Sequence, residues 1–251
     1  MFNEFTSRVD LAQVVLYAFW GFFFSLIYWL RREDRREGYP LDRDTSATAP
    51  LLGTDFLIPA PKTFLLPHDE GTVIAPRIEA PSEALLALPR PGGLGLPIDP
   101  SGDPLLSNVG PASYANRSDK ADKTREGHDL IVPMRIAEGF AVSAGPDPRG
   151  WNVVATDGKV AGKVKDLWVD RADVMVRYVE VELDGESAGT RLLPITMLLL
   201  HSEPRQVAVH SIRSEHFASV PTLKEPDRVT VLEEERICAF YAGGRRYAGQ
   251  I

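Results

Sequence analysis

Residues Leu11–Leu30 read LAQVVLYAFWGFFFSLIYWL, twenty residues without a charged side chain. An α-helix rises about 1.5 Å per residue, so a helix of this length spans the roughly 30 Å hydrocarbon core of a bilayer. Its apolar side chains would cover every face, whereas a buried helix of a soluble protein is usually shorter or amphipathic. The sequence therefore predicts a transmembrane helix over residues 11–30.

A cleaved signal peptide is the alternative interpretation of this segment. The preceding residues include Glu4, Arg8 and Asp10 instead of a basic region, and no small-residue cleavage site follows the apolar run. We therefore expect the helix to stay attached and to anchor the rest of the chain.

The charges that flank the helix predict its orientation. The sequence RREDRREG follows directly and contains four arginines, whereas the other flank carries only Arg8. Basic residues are retained on the cytoplasmic side, so residues 1–10 are predicted to be periplasmic and the bulk of the chain cytoplasmic. The residues expected to fix the helix at the cytoplasmic headgroup layer are two aromatic and two basic ones: Tyr28, Trp29, Arg31 and Arg32.

The composition of the chain limits the kinds of partner that it can be expected to bind. The formal net charge is −7, with 28 basic and 35 acidic residues, so no global positive field would attract nucleic acid. The single cysteine, Cys238, excludes an intramolecular disulfide framework and a cysteine-based zinc site. We predict no nucleic-acid partner, no metal site and no catalytic residue in this chain.

A proline-rich stretch follows the helix. Thirteen of the 20 prolines lie between Pro40 and Pro111, which excludes regular helix and disfavours long strands. Large apolar residues such as Phe56, Ile58 and Phe64 distinguish the stretch from a disordered segment. We interpret residues 31–131 as an extended cytoplasmic strap that lies against a surface, either the C-terminal domain of the same chain or a partner.

Residues 132–225 have the pattern of short β-strands. Within VMVRYVEVEL, residues 174–183 alternate with the period of two that is typical of a half-buried strand. Asp157-Gly158 and Asp184-Gly185 supply turn residues between such runs. Several short strands at this spacing predict a small antiparallel barrel or sandwich.

Residues 226–251 are predicted to hold a C-terminal helix and tail. Pro226 stands near the start, three glutamates come early, and Gly243-Gly244 are placed just past an end at Ala242. Proline and acidic residues favour helix starts, and glycine favours helix ends.

The order of several motifs resembles the H subunit of purple bacterial photosynthetic reaction centres. The motifs that carry this resemblance are Arg36–Leu41 (REGYPL), Pro61–Phe64, Leu66–His68, Gly102–Pro104, Val109–Ser113, Lys163–Asp170, Glu180–Leu183, Arg191–Pro194 and Leu232–Gly244. They cover nearly the whole chain. The resemblance implies a mainly β cytoplasmic domain similar to the PRC-barrel, closed off by a C-terminal helix and resting on the cytoplasmic face of the L and M subunits.

The resemblance also implies the setting of the protein. It places the chain in the photosynthetic, intracytoplasmic inner membrane, among lipids and next to possible light-harvesting antenna proteins. This subunit alone would bind no cofactor, because bacteriochlorophyll, bacteriopheophytin, quinones and non-haem iron belong to L and M in that family. Its expected role is non-catalytic: it stabilises the L/M core and helps conduct protons to the secondary quinone.

Two groups of titratable residues match the proton path of the family. Asp170 matches a family carboxylate, Asp173 stands where the family often has glutamate, and Arg177 follows on the same run. A proton moves only through hydrogen-bonded donors, acceptors and waters, so such groups must lie close together. The alternative interpretation is a solvated turn at a strand edge.

The second group lies in the segment Asp122–Asp129, which resembles the proton-entry region of the family. Its candidate residues are Asp122, Glu126 and His128. His128 matches a family histidine, and Glu126 stands at a position where some members carry another histidine. A histidine exchanges protons near neutral pH, and neighbouring carboxylates hold protons at a surface. An ordinary polar loop is the competing interpretation.

Two other classes of protein compete with the reaction-centre subunit. A membrane-anchored PRC-barrel adaptor for another partner would not need the strap with its REGYPL and VGPAS motifs. An enzyme that uses Asp170 and Asp173 as a carboxylate pair is disfavoured, because residues i and i+3 that leave a strand rarely face a common cleft.

Overall fold

The computed structural model describes residues 10–37, 59–76, 99–185 and 189–249. The predicted periplasmic segment up to residue 9, residues 38–58 and 77–98 of the predicted strap, and the last two residues of the tail lie outside these ranges. The chain divides into two compact units, one built from the N-terminal part and one from the C-terminal part, with the division near residues 87–97.

The first unit begins with helix α1 (Leu11–Asp34). The helix is capped by Asp10, whose carboxylate accepts a hydrogen bond from the Ala12 amide at 3.0 Å. It continues four residues past the predicted end at Leu30, through the charged turn RRED, and none of its residues is buried. Among the described residues, this is the one helix long and apolar enough to cross a membrane.

A small hairpin is fastened to the end of α1. Strands β1 (Lys62–Leu65) and β2 (Thr72–Ala75) are antiparallel, with Phe64 opposite Val73. The Arg36 guanidinium donates to the carbonyl oxygens of Ala60 and Ala75, each at 2.9 Å, and Lys62 pairs with Glu33 at 3.1 Å. These contacts hold this part of the proline-rich stretch next to the residues that follow the apolar run.

The second unit is built on one mainly antiparallel sheet. Its strands are β3 (Ile131–Pro133), β4 (Asn152–Val154), β5 (Val160–Asp170), β6 (Met175–Leu183), β7 (Gly189–Pro194), β8 (Leu198–His201) and β9 (Gln206–Val209). The order is β7-β6-β5-β4-β9-β8, β3 also pairs with β5, and β4 and β9 are parallel. The mainly β domain predicted from the alternating runs is confirmed.

The long pair β5–β6 is the centre of this sheet. Trp168, Val179 and Val181 are fully buried in its core. The register changes between Trp168↔Tyr178 and Val169↔Val176, so that Arg177 has no partner opposite it. An extra residue of this kind bends a strand and redirects its side chain, and here it brings Arg177 towards the end of β5.

Helix α2 (Val231–Tyr247) is the C-terminal helix of the second unit and packs against its hydrophobic core. It starts with a capping box: Thr230 Oγ1 accepts from the Glu233 amide at 3.1 Å, and the Glu233 carboxylate accepts from the Thr230 amide at 2.8 Å. This pair satisfies two amides that a helix start leaves free. The predicted C-terminal helix is confirmed, although it starts after Pro226.

The predicted end of this helix at Ala242 is wrong. Gly243 and Gly244 lie inside α2 and are buried. A Cβ atom on Gly243 would lie 2.8 Å from Ala112 Cβ, and one on Gly244 would overlap Ile212 Cγ2. The two glycines are therefore needed for close packing, and the helix passes through them.

Candidate proton-transfer site

Asp170 is a buried carboxylate at the end of β5, with 2% of its surface exposed. Its Oδ1 accepts from the amides of Ala172 and Asp173 at 2.9 and 3.0 Å, and its Oδ2 accepts from Arg177 Nε at 3.1 Å. The amides shape the turn from β5 to β6, so the same carboxylate that defines the turn also receives the guanidinium. A buried charge requires such partners, because it has lost its hydration.

Asp173 and Arg177 complete the first predicted group. Arg177 Nη2 donates to Asp173 Oδ2 at 2.9 Å and lies 3.1 Å from Asp170 Oδ2. The Asp173 side chain is 59% exposed and that of Arg177 is 42% exposed. The guanidinium thus bridges a buried carboxylate and one that faces solvent, and the structure brings these three predicted residues together.

The second predicted group lies on an exposed turn. Asp122, Glu126 and His128 are all exposed. The turn is closed by the Thr124 amide, which donates to the His128 carbonyl at 2.8 Å, and by an ion pair between Lys123 and Asp129 at 2.5 Å. The backbone is therefore held in one place while the three titratable side chains remain in contact with water.

The two groups lie at the same end of the sheet. The turn 122–129 runs directly into β3, where Ile131 pairs with Asp170. The Leu130 amide donates to the Asp122 carbonyl at 2.8 Å, and the Arg171 amide donates to the Leu130 carbonyl at 2.9 Å. Backbone hydrogen bonds therefore connect the surface turn to the residue that follows the buried carboxylate.

A further carboxyl group, absent from the two predicted groups, is influenced by the charges of both. Glu234 is in the first turn of α2, and its Oε2 accepts from the Tyr178 hydroxyl at 2.8 Å. Burial raises the pKa of Glu234, and the negative charges of Asp122 and Asp170 raise it further, against the lowering effects of the Tyr178 hydrogen bond and of Arg177. Glu234 is thus close enough to feel the charge of both predicted groups.

Tyr178 is fixed as the donor in this contact. It is 5% exposed on β6, next to Arg177, and its hydroxyl oxygen also lies 3.8 Å from Cys238 Sγ. Burial raises the pKa of the Tyr178 hydroxyl, and neighbouring negative groups act in the same direction. The hydroxyl therefore keeps its proton and can donate it in a hydrogen bond to the carboxyl group.

The run of three glutamates could have suggested this placement. Successive helix residues are about 100° apart, so Glu233, Glu234 and Glu235 must face three directions. Glu233 caps the helix, Glu234 faces Tyr178, and Glu235 pairs with Arg117 at 3.3 Å. The sequence does not reveal which strand meets the inner direction, because Tyr178 lies 56 positions earlier in the chain.

A second buried charged cluster has a structural role. Arg135 Nη1 lies 2.6 Å from the Glu180 carboxylate and 3.2 Å from that of Asp166, and both carboxylates are buried. Glu180 also accepts from Trp168 Nε1 at 3.1 Å and pairs with Lys165 at 3.1 Å. The second Arg135 nitrogen reaches the segment before α2 through the Pro226 carbonyl at 2.8 Å. This cluster ties β5, β6 and that segment together.

The four residues predicted to anchor the helix lie at the end of α1. Tyr28 and Trp29 are 46% and 53% exposed in the isolated chain, as lipid-facing side chains are expected to be. Arg31 Nη1 lies 3.7 Å from Asp34. Arg32 follows Arg31 on the adjacent face of the same turn.

The arrangement defines a class of protein: an apolar helix suited to a membrane is followed by a mainly β domain with a carboxylate cluster at one end of its sheet. The C-terminal unit matches the PRC-barrel domain over residues 141–216. Residues 3–136, more than half of the chain, match the photosynthetic reaction centre H-chain, N-terminal region. The chain belongs to the family of photosynthetic reaction centre H chains, and it is a membrane-anchored reaction centre subunit.

Proposed function

We propose that this H subunit caps the L and M subunits on their cytoplasmic side and conducts protons towards the secondary quinone. The observation that carries this proposal is the Arg177 bridge, which links a carboxylate in contact with water, Asp173, to a buried one, Asp170. A route from water to a buried acceptor needs such a graded series of groups.

In this proposal, the exposed turn collects protons. The carboxylates of Asp122 and Glu126 and the imidazole of His128 exchange protons with water at the surface. Asp173 passes a proton inward through hydrogen-bonded water, since its side chain is one methylene shorter than the glutamate common in the family. Arg177 holds the two carboxylates at a fixed spacing, and Asp170 is the inner end of the path in this chain.

Family membership supports a proposal for the cofactors and neighbours of this chain. Bacteriochlorophyll, bacteriopheophytin, quinones and non-haem iron would be held by L and M, and this chain would contribute structure and proton-carrying side chains. The four arginines after the apolar run support a cytoplasmic location for the second unit, which we call the sheet domain. Lipids would surround α1, and antenna proteins are further candidates for contact.

The test is Asp173→Asn in the assembled complex. We expect the second, proton-coupled electron transfer to the secondary quinone to slow, with unchanged primary charge separation and pigment content. Asp173→Glu should keep or raise the rate, because it retains a titratable group and adds reach. The measurement is flash-induced quinone kinetics as a function of pH.

The matched control is Asp184→Asn. Asp184 is an exposed aspartate that follows β6 at its other end, so the same change is made in a similar environment away from the cluster. We expect wild-type kinetics from this variant. A second-transfer rate in Asp173→Asn that equals the wild-type rate across the pH range would remove Asp173 from the path.

A further inference from the structure

The surroundings of Glu234 combine groups from four parts of the second unit. Strand β6 contributes Tyr178 and Arg177, the end of β5 contributes Asp170, and the turn before β3 contributes Asp122. Cys238, one turn further along α2, contacts the Tyr178 hydroxyl. The Glu234 carboxyl group therefore contacts β6 and is influenced by the charges of both the surface turn and the Asp170 cluster.

Asp170 and Glu234 differ in how their negative charge is compensated. Asp170 receives two amide hydrogen bonds and the Arg177 guanidinium. In the described part of the chain, the Tyr178 hydroxyl donates the hydrogen bond that reaches the Glu234 carboxyl, and no cation pairs with it. Burial with so little compensation favours the protonated form of Glu234 and raises its pKa.

We propose that Glu234 is a proton-binding site between the Asp122 surface turn and Asp170, and that the Tyr178 hydroxyl positions its carboxyl group for transfer. This inference rests on the proposed proton-conducting function and adds a residue and a step to it. In the first step a proton from surface water binds to the Glu234 carboxylate. In the second, that O–H bond breaks and the proton passes through water towards the Asp170 group, which regenerates the carboxylate.

Tyr178 is a positioning residue in this step. Its hydroxyl donates to Oε2, which holds the carboxyl in one rotamer and leaves Oε1 to accept and release the proton. The same hydrogen bond favours the charged form of Glu234, so it prevents the site from holding its proton too strongly. Phenylalanine at this position would keep the packing on β6 and remove only the donor.

The test uses the intact reaction centre complex and light-induced infrared difference spectra of quinone reduction. A carboxyl group that gains a proton gives a C=O stretching band that shifts in D₂O. We expect Glu234→Gln to lose such a band and to slow the second electron transfer by roughly tenfold or more. Glu235→Gln is the matched control, because it makes the same change on the same turn at a residue paired with Arg117.

Tyr178→Phe tests the positioning role separately, because a purely structural role for Tyr178 would not shift the pH at which the Glu234 band titrates. Loss of the donor should raise the pH at which the Glu234 band titrates, since the charged form loses its hydrogen bond. An unchanged band and unchanged kinetics in Glu234→Gln would overturn the inference. So would a Tyr178→Phe variant in which the band titrates at the wild-type pH.

The two proposals fail in different ways. If the wider proposal fails, Asp173→Asn has wild-type kinetics. If only Glu234 is misassigned, Asp173→Asn slows the second transfer while Glu234→Gln leaves the rate and the carboxyl band unchanged. A Glu234→Gln effect accompanied by equal changes in Glu235→Gln would indicate a disturbed helix start and would also overturn the assignment.

Discussion

Three consecutive glutamates, Glu233, Glu234 and Glu235, have different environments in the folded protein. Glu233 is buried, but its carboxylate accepts from the Thr230 and Lys224 amides, both at 2.8 Å. Glu235 pairs with Arg117 and is partly exposed. Glu234 alone of the three combines partial burial with a neutral donor, Tyr178. Its charge is therefore the one that the fold compensates least.

This difference predicts a pH dependence of stability for Glu234. Its pKa is raised in the folded protein, so between the unfolded and folded pKa values the folded state binds more protons. Stability must then fall as the pH rises through this window. In Glu234→Gln this loss disappears, so the variant should gain stability relative to wild type as the pH rises.

The measurement is the thermal unfolding midpoint of the full chain in detergent micelles, followed by near-ultraviolet circular dichroism over a pH series. Glu235→Gln serves as the control and should run parallel to wild type in the same window. A Glu234→Gln difference that stays constant, or that turns against the variant as the pH rises, would contradict a raised pKa.

Helix α2 uses a glycine pair for close packing. Gly243 meets Ala112 in the short helical turn Gly110–Ala112, and Gly244 meets Ile212 and the Ser211 carbonyl. The absence of Cβ atoms lets the helix approach these backbones closely. The helix accepts two residues of low helix propensity because the contact needs them.

Gly244→Ala should therefore destabilise the protein. Alanine normally favours a helix over glycine by about 1 kcal/mol, but here the added Cβ overlaps Ile212 and a backbone carbonyl, and overpacking costs roughly 1–3 kcal/mol. Thermal or denaturant unfolding of the full chain measures the difference. Gly249→Ala is the control, because nothing lies within 4 Å of its added Cβ. Equal stability of the two variants would contradict the close contact.

The sequence predicts the helices and strands that are determined by a pattern of neighbouring residues. The charge-free run of residues 11–30 predicts α1, and the alternation in residues 174–183 predicts β6. The end of α2 was missed because the glycine contact joins Gly244 to Ile212, 32 positions earlier in the chain. For the same reason the alternating pattern did not reveal that Glu180 is buried: its partner Arg135 lies 45 positions away.

The residues of the candidate site also differ in whether the sequence alone can predict them. Asp170, Asp173 and Arg177 lie within eight residues and were found through motifs of the family. Glu234 and Tyr178 meet only after the sheet and α2 have packed, and the motif around Glu234 marked a helix start. Titratable residues that local patterns explain as caps or strand faces need the fold before they can be assigned.

The charge distribution around α1 predicts which compartment holds the sheet domain. Four arginines follow the apolar run, and only Arg8 precedes it. We expect prolonged digestion by a protease on the cytoplasmic side of oriented membranes to remove nearly everything after Arg31, because basic flanks are retained on that side. Mass spectrometry of the protected fragment measures this. Protection of the sheet domain would reverse the proposed orientation.

The described part of the proline-rich stretch exposes apolar side chains. In its described part, the Leu65 and Ile74 side chains of the hairpin are 82% and 56% exposed, while the contacts to Glu33 and Arg36 involve polar groups at the strand ends. Two short strands are marginal alone in water, so we expect the apolar side chains of this hairpin to pack against another surface. We expect the L and M subunits to supply it.

Limited proteolysis tests this expectation. The isolated chain in micelles should be cut more often between Pro40 and Pro111 than the same chain in the assembled complex in the same detergent, since unpacked chain is the preferred substrate of proteases. Cleavage within α2 and the β5–β6 pair should stay low in both samples, which shows that the sheet domain is folded in each. Equal cutting of residues 40–111 in the two states would mean that this stretch is ordered by its own chain, and that L and M do not cover it.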